Sequence, residues 1–188
     1  MIALPRAAAM GLTLAASEIA LSLWKRSGRN SRSADRGSLR LIWVVIVLSV
    51  TVATSMAQSV SLARFGVGAV LHACAVALFL AGLVLRWYSI YHLGRFFTVD
   101  VAVAADHRVV DTGPYKLVRH PSYTGAFLAM AGYALALGNA VSLLVLMVPI
   151  TAVMLHRIHI EEAALRGALG EEYAAYAART KRLLPYLY

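Results

Sequence analysis

Apolar residues along this chain fall into long unbroken runs rather than strict alternation or narrow helical stripes. Residues 7–24, 41–62, 67–91, 121–137 and 141–155 are each rich in Ala, Val and Leu and poor in charge. A hydrocarbon core of about 30 Å takes about 20 such residues per helix, with about 17 the usual lower limit. The runs therefore predict five membrane-spanning helices, the last two short. Glu18 makes the first run the least regular. Gly138-Asn139 reads as a tight turn joining the fourth and fifth runs into a helical hairpin. The expected fold is all-α, a polytopic integral membrane protein. Residues 1–93 would hold three helices and a basic loop. Residues 94–188 would hold a long loop, the hairpin and a polar tail.

The segments between the runs differ in kind. Residues 25–40, KRSGRNSRSADRGSLR, are polar, rich in Gly and Ser, and expected to be mobile. Residues 91–120 form the longest connection, and FTVDVAV within it alternates with β-branched residues, so an extended segment along the membrane surface is expected. In the tail, GEEYAAYAART reads as a short amphipathic helix. Glu171 and Glu172 stand in its first turn, and Arg179 and Lys181 near its end, in line with the helix dipole. Pro185 is expected to stop it.

Composition adds an orientation. Charged residues make up 14% of the chain, the mean hydropathy is +0.69, and the net charge is +9. The basic residues are distributed as in a membrane protein and not as in a nucleic-acid binder. With the 25–40 loop inside, sixteen Lys and Arg fall on that side, and only Arg6 and Arg64 fall on the other. The positive-inside rule then puts the N-terminus outside, and the C-terminus and the long loop in the cytoplasm. The abundance of Arg over Lys and of Ala hints at a bacterial cell membrane. The single cysteine, Cys74, lies in the third run, so disulfides and cysteine metal sites are excluded.

Two regions of unusual chemistry share the cytoplasmic border. The first is DTGPYKLVRHPSYTG, residues 111–125. Pro121 suits the first position of a helix. The amides of Ser122, Tyr123 and Thr124 would then be available at a helix start for a carboxylate or phosphate. Interfacial anchoring by His120 and Tyr123 would account for the same residues equally well. The second is HRIHIEEAALRG, where Arg157 and Glu161 are four residues apart and share a helix face. Arg preceding Glu is the poorer order for helix stability, which fits partners that each bind something else. His156, His159 and Glu162 have too few companions for a metal site. Glu18 and Arg86 are charged residues in or near spans, and such residues are functional candidates by default, although Arg86 could snorkel. His72 reads as a packing residue.

Together, HRVVxxGPYxxVRHPSYTG and the following RxxxEE…EEYxxY resemble the isoprenylcysteine carboxyl methyltransferase family, membrane enzymes that use S-adenosylmethionine and are related to phospholipid methyltransferases. The resemblance covers residues 94–188. It implies a cofactor site lined by His107, Arg108, Val109, Val110, Tyr115, His120, Pro121, Ser122 and Tyr123, with Glu161 closing it from the tail. It implies that Arg157 holds the carboxylate of the methyl acceptor, so that Arg157 and Glu161 are the residues nearest the chemistry. Val109 replaces the Leu usual in the family, and a glutamine used by some members has no counterpart between residues 100 and 105.

The reaction expected is methyl transfer to a lipophilic acceptor: an isoprenylcysteine-like carboxylate, or another isoprenoid or lipid acid. A phospholipid amine is a second possible acceptor. A membrane NADPH-dependent sterol-type reductase is an alternative class, because such enzymes carry a similar Arg-His-Pro-x-Tyr-x-Gly element. The Arg157/Glu161-Glu162 tail argues for the methyltransferase.

Overall fold

Five helices, two of them joined as a hairpin, account for most of the computed structural model, which describes residues 3–24, 32–33, 37–99, 102–103 and 106–185. In chain order they are α1 (Ala3–Trp24), α2 (Ser38–Ser59), α3 (Ala69–Leu93), α4 (Pro121–Ala136) and α5 (Ala140–Arg179). Among the described residues, four helices are long and apolar enough to cross a membrane: α1, α2, α3 and α5. At 1.5 Å per residue the 16-residue α4 is only about 24 Å long. It is the short, buried member of the set, packed chiefly on α3 and also touching α1 and α5. Leu12, Leu23, Val47, Leu80, Val84 and Val148 point outward and are exposed, as lipid-facing residues are.

Small residues let α3 and α4 approach closely. A Cβ on Gly82 would lie 2.3 Å from the Ala129 amide nitrogen, one on Gly125 2.5 Å from that of Arg86, and one on Gly132 2.6 Å from that of Phe79. Apolar side chains gain nothing over lipid by meeting one another, so close backbone contact of this kind drives helix association in membranes. Tyr133 on α4 then joins the remaining helices. Its ring packs on Gly11 of α1, and its hydroxyl lies 3.0 Å from Thr54 Oγ1 of α2. At one end of α2, Ser142 of α5 donates to the Ala53 carbonyl at 2.7 Å. At the other, Arg157 of α5 donates to Ser38 Oγ at 2.8 Å.

The hairpin turn is the one the sequence predicts. Gly138 takes a positive φ of 65° and Asn139 caps α5 by accepting from the Ser142 amide at 3.0 Å. Helix α5 is longer than expected. Up to the break at Gly170, residues 140–169 make about 45 Å, more than the hydrocarbon thickness of about 30 Å. The part after the fifth run therefore continues the same helix beyond the membrane. Gly170 breaks it with φ 53° and ψ −127°, and the segment after Gly170 is the amphipathic helix read from GEEYAAYAART. That helix ends at Arg179, with Thr180 already extended. Pro185 lies beyond the stop, so the expectation that proline ends the helix is corrected.

Ala102–Val103 (β2) pairs antiparallel with Arg32–Ser33 (β1), so part of FTVDVAV is extended and is held by the basic loop. The rest of that loop, most of residues 25–36, and the interval 100–105, which has no counterpart of the glutamine used by some family members, lie largely outside the described residues.

Candidate active site

A large cavity opens among the five helices and the loop before α4. The space around its walls, open solvent at the mouth included, is about 1420 Å³. Its walls divide by chemistry. Leu14, Ile42, Ile46, Met130 and Met154 form an apolar sector contributed by four helices. The 107–110 segment, Tyr115, Tyr173, Tyr176 and the charged residues form a polar and aromatic sector.

Every site residue expected from the sequence borders this cavity except Pro121. Pro121 is fully buried at the first position of α4 and Ser122 is buried beside it. Its ring starts the helix behind the wall and is not part of the wall. The expected set of free amides is also corrected. The Tyr123 and Thr124 amides both donate to the His120 carbonyl at 3.0 Å, so these two are not available to a ligand.

Tyr123 joins the two halves of the motif. Its hydroxyl accepts from Arg157 Nε at 2.9 Å and donates to Glu161 Oε2 at 3.0 Å. Arg157 and Glu161 do share a face of α5, and the phenol of α4 lies between them. Arg157 is 3% exposed, and its guanidinium also donates to Ser38 Oγ and the Val99 carbonyl. Three separate segments, α4, α2 and the loop after α3, thus fix one guanidinium. Glu161 keeps a side chain about a third exposed, with His120 Nδ1 3.9 Å away.

The loop is pinned to the tail. The Val109 amide donates to Glu172 Oε1 at 3.3 Å, Asp111 pairs with Arg179, and Tyr176 donates to the Tyr115 carbonyl at 2.7 Å. His107 packs against Phe96, ring centroids 4.9 Å apart. Burial pushes its imidazole below the ordinary histidine value, against the opposing pull of Glu161 and Asp106. His107 Nδ1 and the Tyr173 hydroxyl are buried polar atoms with no hydrogen-bond partner among the described residues. Such atoms are rare and call for a reason. On the wall of a cavity, a polar ligand is a fitting one.

Some wall residues are missing from the sequence reading. Arg119 borders the cavity and donates to Glu162 and to the Ala177 and Thr180 carbonyls. Sequence position marks it only as a basic flank. Glu18 and Arg86 were candidates separately. The fold makes them an ion pair on the cavity wall, 2.6 Å between Nε and Oε1. The available signal was their opposite charge at similar membrane depth.

The fold and the site together define a membrane protein that offers a charged, aromatic pocket joined to an apolar one. Residues 75–167 match the family model described as "Isoprenylcysteine carboxyl methyltransferase (ICMT) family", and through that region this chain belongs to the family. Protein-S-isoprenylcysteine O-methyltransferase B of Arabidopsis thaliana is 30% identical over 114 residues, covering 60% of this chain and 58% of that protein. The protein-S-isoprenylcysteine O-methyltransferase of Schizosaccharomyces pombe is 34% identical over 108 residues, covering 56% and 46%. A solved structure of the eukaryotic intramembrane Ras methyltransferase ICMT superposes with a TM-score of 0.65 at 25% identity, over 77% of this chain and 52% of that one. The chain thus spans about half the length of the relatives it matches.

Proposed function

We propose that this chain is an integral membrane methyltransferase that uses S-adenosylmethionine and methylates the carboxylate of a lipophilic acceptor. The observation that carries the reading is the Arg157–Tyr123–Glu161 junction, which stands where the polar and apolar sectors of one cavity meet. Family membership, and relatives named for isoprenylcysteine O-methylation, favour it over a reductase or an amine methyltransferase.

The donor set suits such a cofactor. Glu161 can accept from an ammonium or a ribose hydroxyl, while His107 and Tyr173 have unmet hydrogen-bonding capacity. Tyr115 and Tyr123 offer aromatic faces to a cation, worth about 0.5–2 kcal/mol. S-adenosylmethionine, when bound, supplies a methyl group already activated on a sulfonium. The chain's own work is then to orient and to exclude water. Arg157 is held in one orientation by Ser38, Tyr123 and the Val99 carbonyl, which suits bidentate recognition of a carboxylate. A carboxylate acceptor is ionised near neutral pH and needs no base. Alignment alone supplies about 7–11 kcal/mol in well-oriented reactions.

The apolar sector would take the acceptor's hydrocarbon chain from the bilayer, and the polar sector would open to the cytoplasm, with the N-terminus outside. An isoprenoid or lipid acid of modest size is the acceptor expected. Calorimetric titration of S-adenosylhomocysteine into the detergent-purified protein tests the reading. Binding is expected, and Glu161→Ala or Tyr123→Ala should weaken it about tenfold, 1.4 kcal/mol. A folded wild type that binds no S-adenosylhomocysteine sinks it.

A further inference from the structure

Behind the cavity wall lies a charged knot to which the reading above gives no part. Glu162 is fully buried and does not border the cavity. Its oxygens accept from Arg119 Nε at 2.9 Å, Arg182 Nη2 at 3.0 Å and Arg166 Nη2 at 3.1 Å. His120 Nε2 lies 3.4 Å from Glu162 Oε1. The other ring nitrogen, Nδ1, faces Glu161 Oε2 at 3.9 Å. One imidazole, 4% exposed, therefore stands between two consecutive glutamates, one behind the wall and one on it.

The backbone of His120 is fixed separately. Its amide donates to the Arg182 carbonyl at 3.0 Å, and the Arg119 amide donates to the Lys181 carbonyl at 2.7 Å. Thr124 Oγ1 donates to the Leu183 carbonyl at 2.8 Å. The strand-like end of the chain holds the main chain of this turn, so Glu162 is left to hold the ring.

An ionised carboxylate only accepts hydrogen bonds. Burial alone would raise the Glu162 carboxyl, but hydrogen bonds from His120, Arg182 and Arg119 outweigh it and hold it well below the ordinary carboxylate range. The nitrogen facing it must then carry the proton. We propose that Glu162 is a positioning residue that fixes His120 as the Nε2–H tautomer, leaving Nδ1 as a bare acceptor beside Glu161. Two acceptors side by side on the wall make a place for a cationic hydrogen-bond donor, and a primary ammonium is one. That last step rests on the cofactor reading, since the amino-acid end of S-adenosylmethionine carries such a group. The tautomer itself does not rest on it.

The test is nitrogen-15 NMR of histidine-labelled wild type in mildly alkaline detergent solution, with His120→Gln to assign the signals. An Nε2–H ring at His120 is expected. A proton on Nδ1, in a neutral or doubly protonated ring, overturns the proposal. Glu162→Gln keeps the shape but can donate as well as accept. It should lose the single tautomer and bind S-adenosylhomocysteine about tenfold more weakly, 1.4 kcal/mol. Wild-type tautomer or wild-type affinity in a folded Glu162→Gln protein also overturns the proposal. Should that variant not fold, the wild-type spectrum decides alone. Should the wild type bind no S-adenosylhomocysteine, the cofactor reading falls and the spectrum still judges the tautomer.

Discussion

Arg86 of α3 and Glu18 of α1 form an ion pair across the helix interface, with Arg86 Nη2 donating to Glu18 Oε2 at 2.7 Å. Both side chains are largely buried, at 12% and 15% exposure. Arg86 also donates to the Ser122 carbonyl at 3.2 Å, in the first turn of α4. Nearby, Trp87 donates to Ser17 Oγ at 2.8 Å and stacks on Trp24. Helix α1 lies wholly outside the region that matches the family model, yet it supplies Leu14 and Glu18 to the cavity wall. This clasp is what makes it part of the site.

Breaking a buried pair from one side strands a charge, at a cost of about 3–5 kcal/mol, while replacing both partners by apolar residues is often neutral. Glu18→Leu and Arg86→Leu should therefore each destabilise the detergent-solubilised protein by about 3 kcal/mol or more. The double variant should recover most of that loss. Equal and additive losses in a denaturation cycle would mean that the two residues do not act as a pair.

Tyr173 offers a cleaner separation of stability from binding. Its hydroxyl is buried without a partner among the described residues, so Tyr173→Phe removes an unmet polar group and keeps the ring. An unsatisfied buried group costs about 1–3 kcal/mol. The ligand-free variant should thus melt at the wild-type temperature or above it, and its S-adenosylhomocysteine affinity should fall about tenfold. A variant that melts lower, with unchanged affinity, would assign the hydroxyl to the fold instead.

Gly132 and Gly167 should respond in opposite directions to one methyl group. A Cβ on Gly132 would meet the Ala75 carbonyl and the Phe79 amide nitrogen at 2.6 Å, whereas one on Gly167 meets nothing within 4 Å. Gly132→Ala should cost about 1–3 kcal/mol through overpacking. Gly167→Ala, in the projecting part of α5, should gain about 0.5–1 kcal/mol. Thermal midpoints of the two variants decide this, and equal shifts would contradict the close α3–α4 approach.

Acid should act through the Glu162 knot. The folded carboxyl is held below its ordinary value of 4.5. Between the two values the unfolded chain binds the proton and the folded chain does not. The stabilisation is therefore complete above the ordinary value and lost as pH falls below it. Thermal midpoints of the wild type should drop as pH falls from about 5. A folded Glu162→Gln protein starts less stable, and its curve should be flatter in that window. Parallel curves would remove Glu162 from the acid response.

Much of the architecture was legible before folding. Runs of about 20 apolar residues admit few conformations in lipid except a helix, because every backbone polar group must be satisfied internally. That constraint located α1 to α4 and the start of α5 to within a few residues, but not the far end of α5, which runs on beyond the apolar stretch. Gly138-Asn139 announced its turn by the conformations those residues favour. The motif residues were legible too, because their spacing is read along the chain: four residues on α5 place Arg157 and Glu161 on one face in any helix.

Contacts between distant segments could not be read that way. Nothing in the order of residues says that the Tyr123 hydroxyl lies between Arg157 and Glu161, that Glu18 meets Arg86, or that Glu162 gathers Arg119, His120 and Arg182. Periodicity fixes which face of a helix a side chain occupies. It does not fix which helix that face meets, and in a membrane hydrophobicity cannot choose, since lipid is as apolar as any partner. The sequence by itself determined helices, borders and the candidate chemistry. The tertiary structure decided the pairings, because these depend on glycine-deep helix contacts and on charges that must find a partner once they are taken out of water.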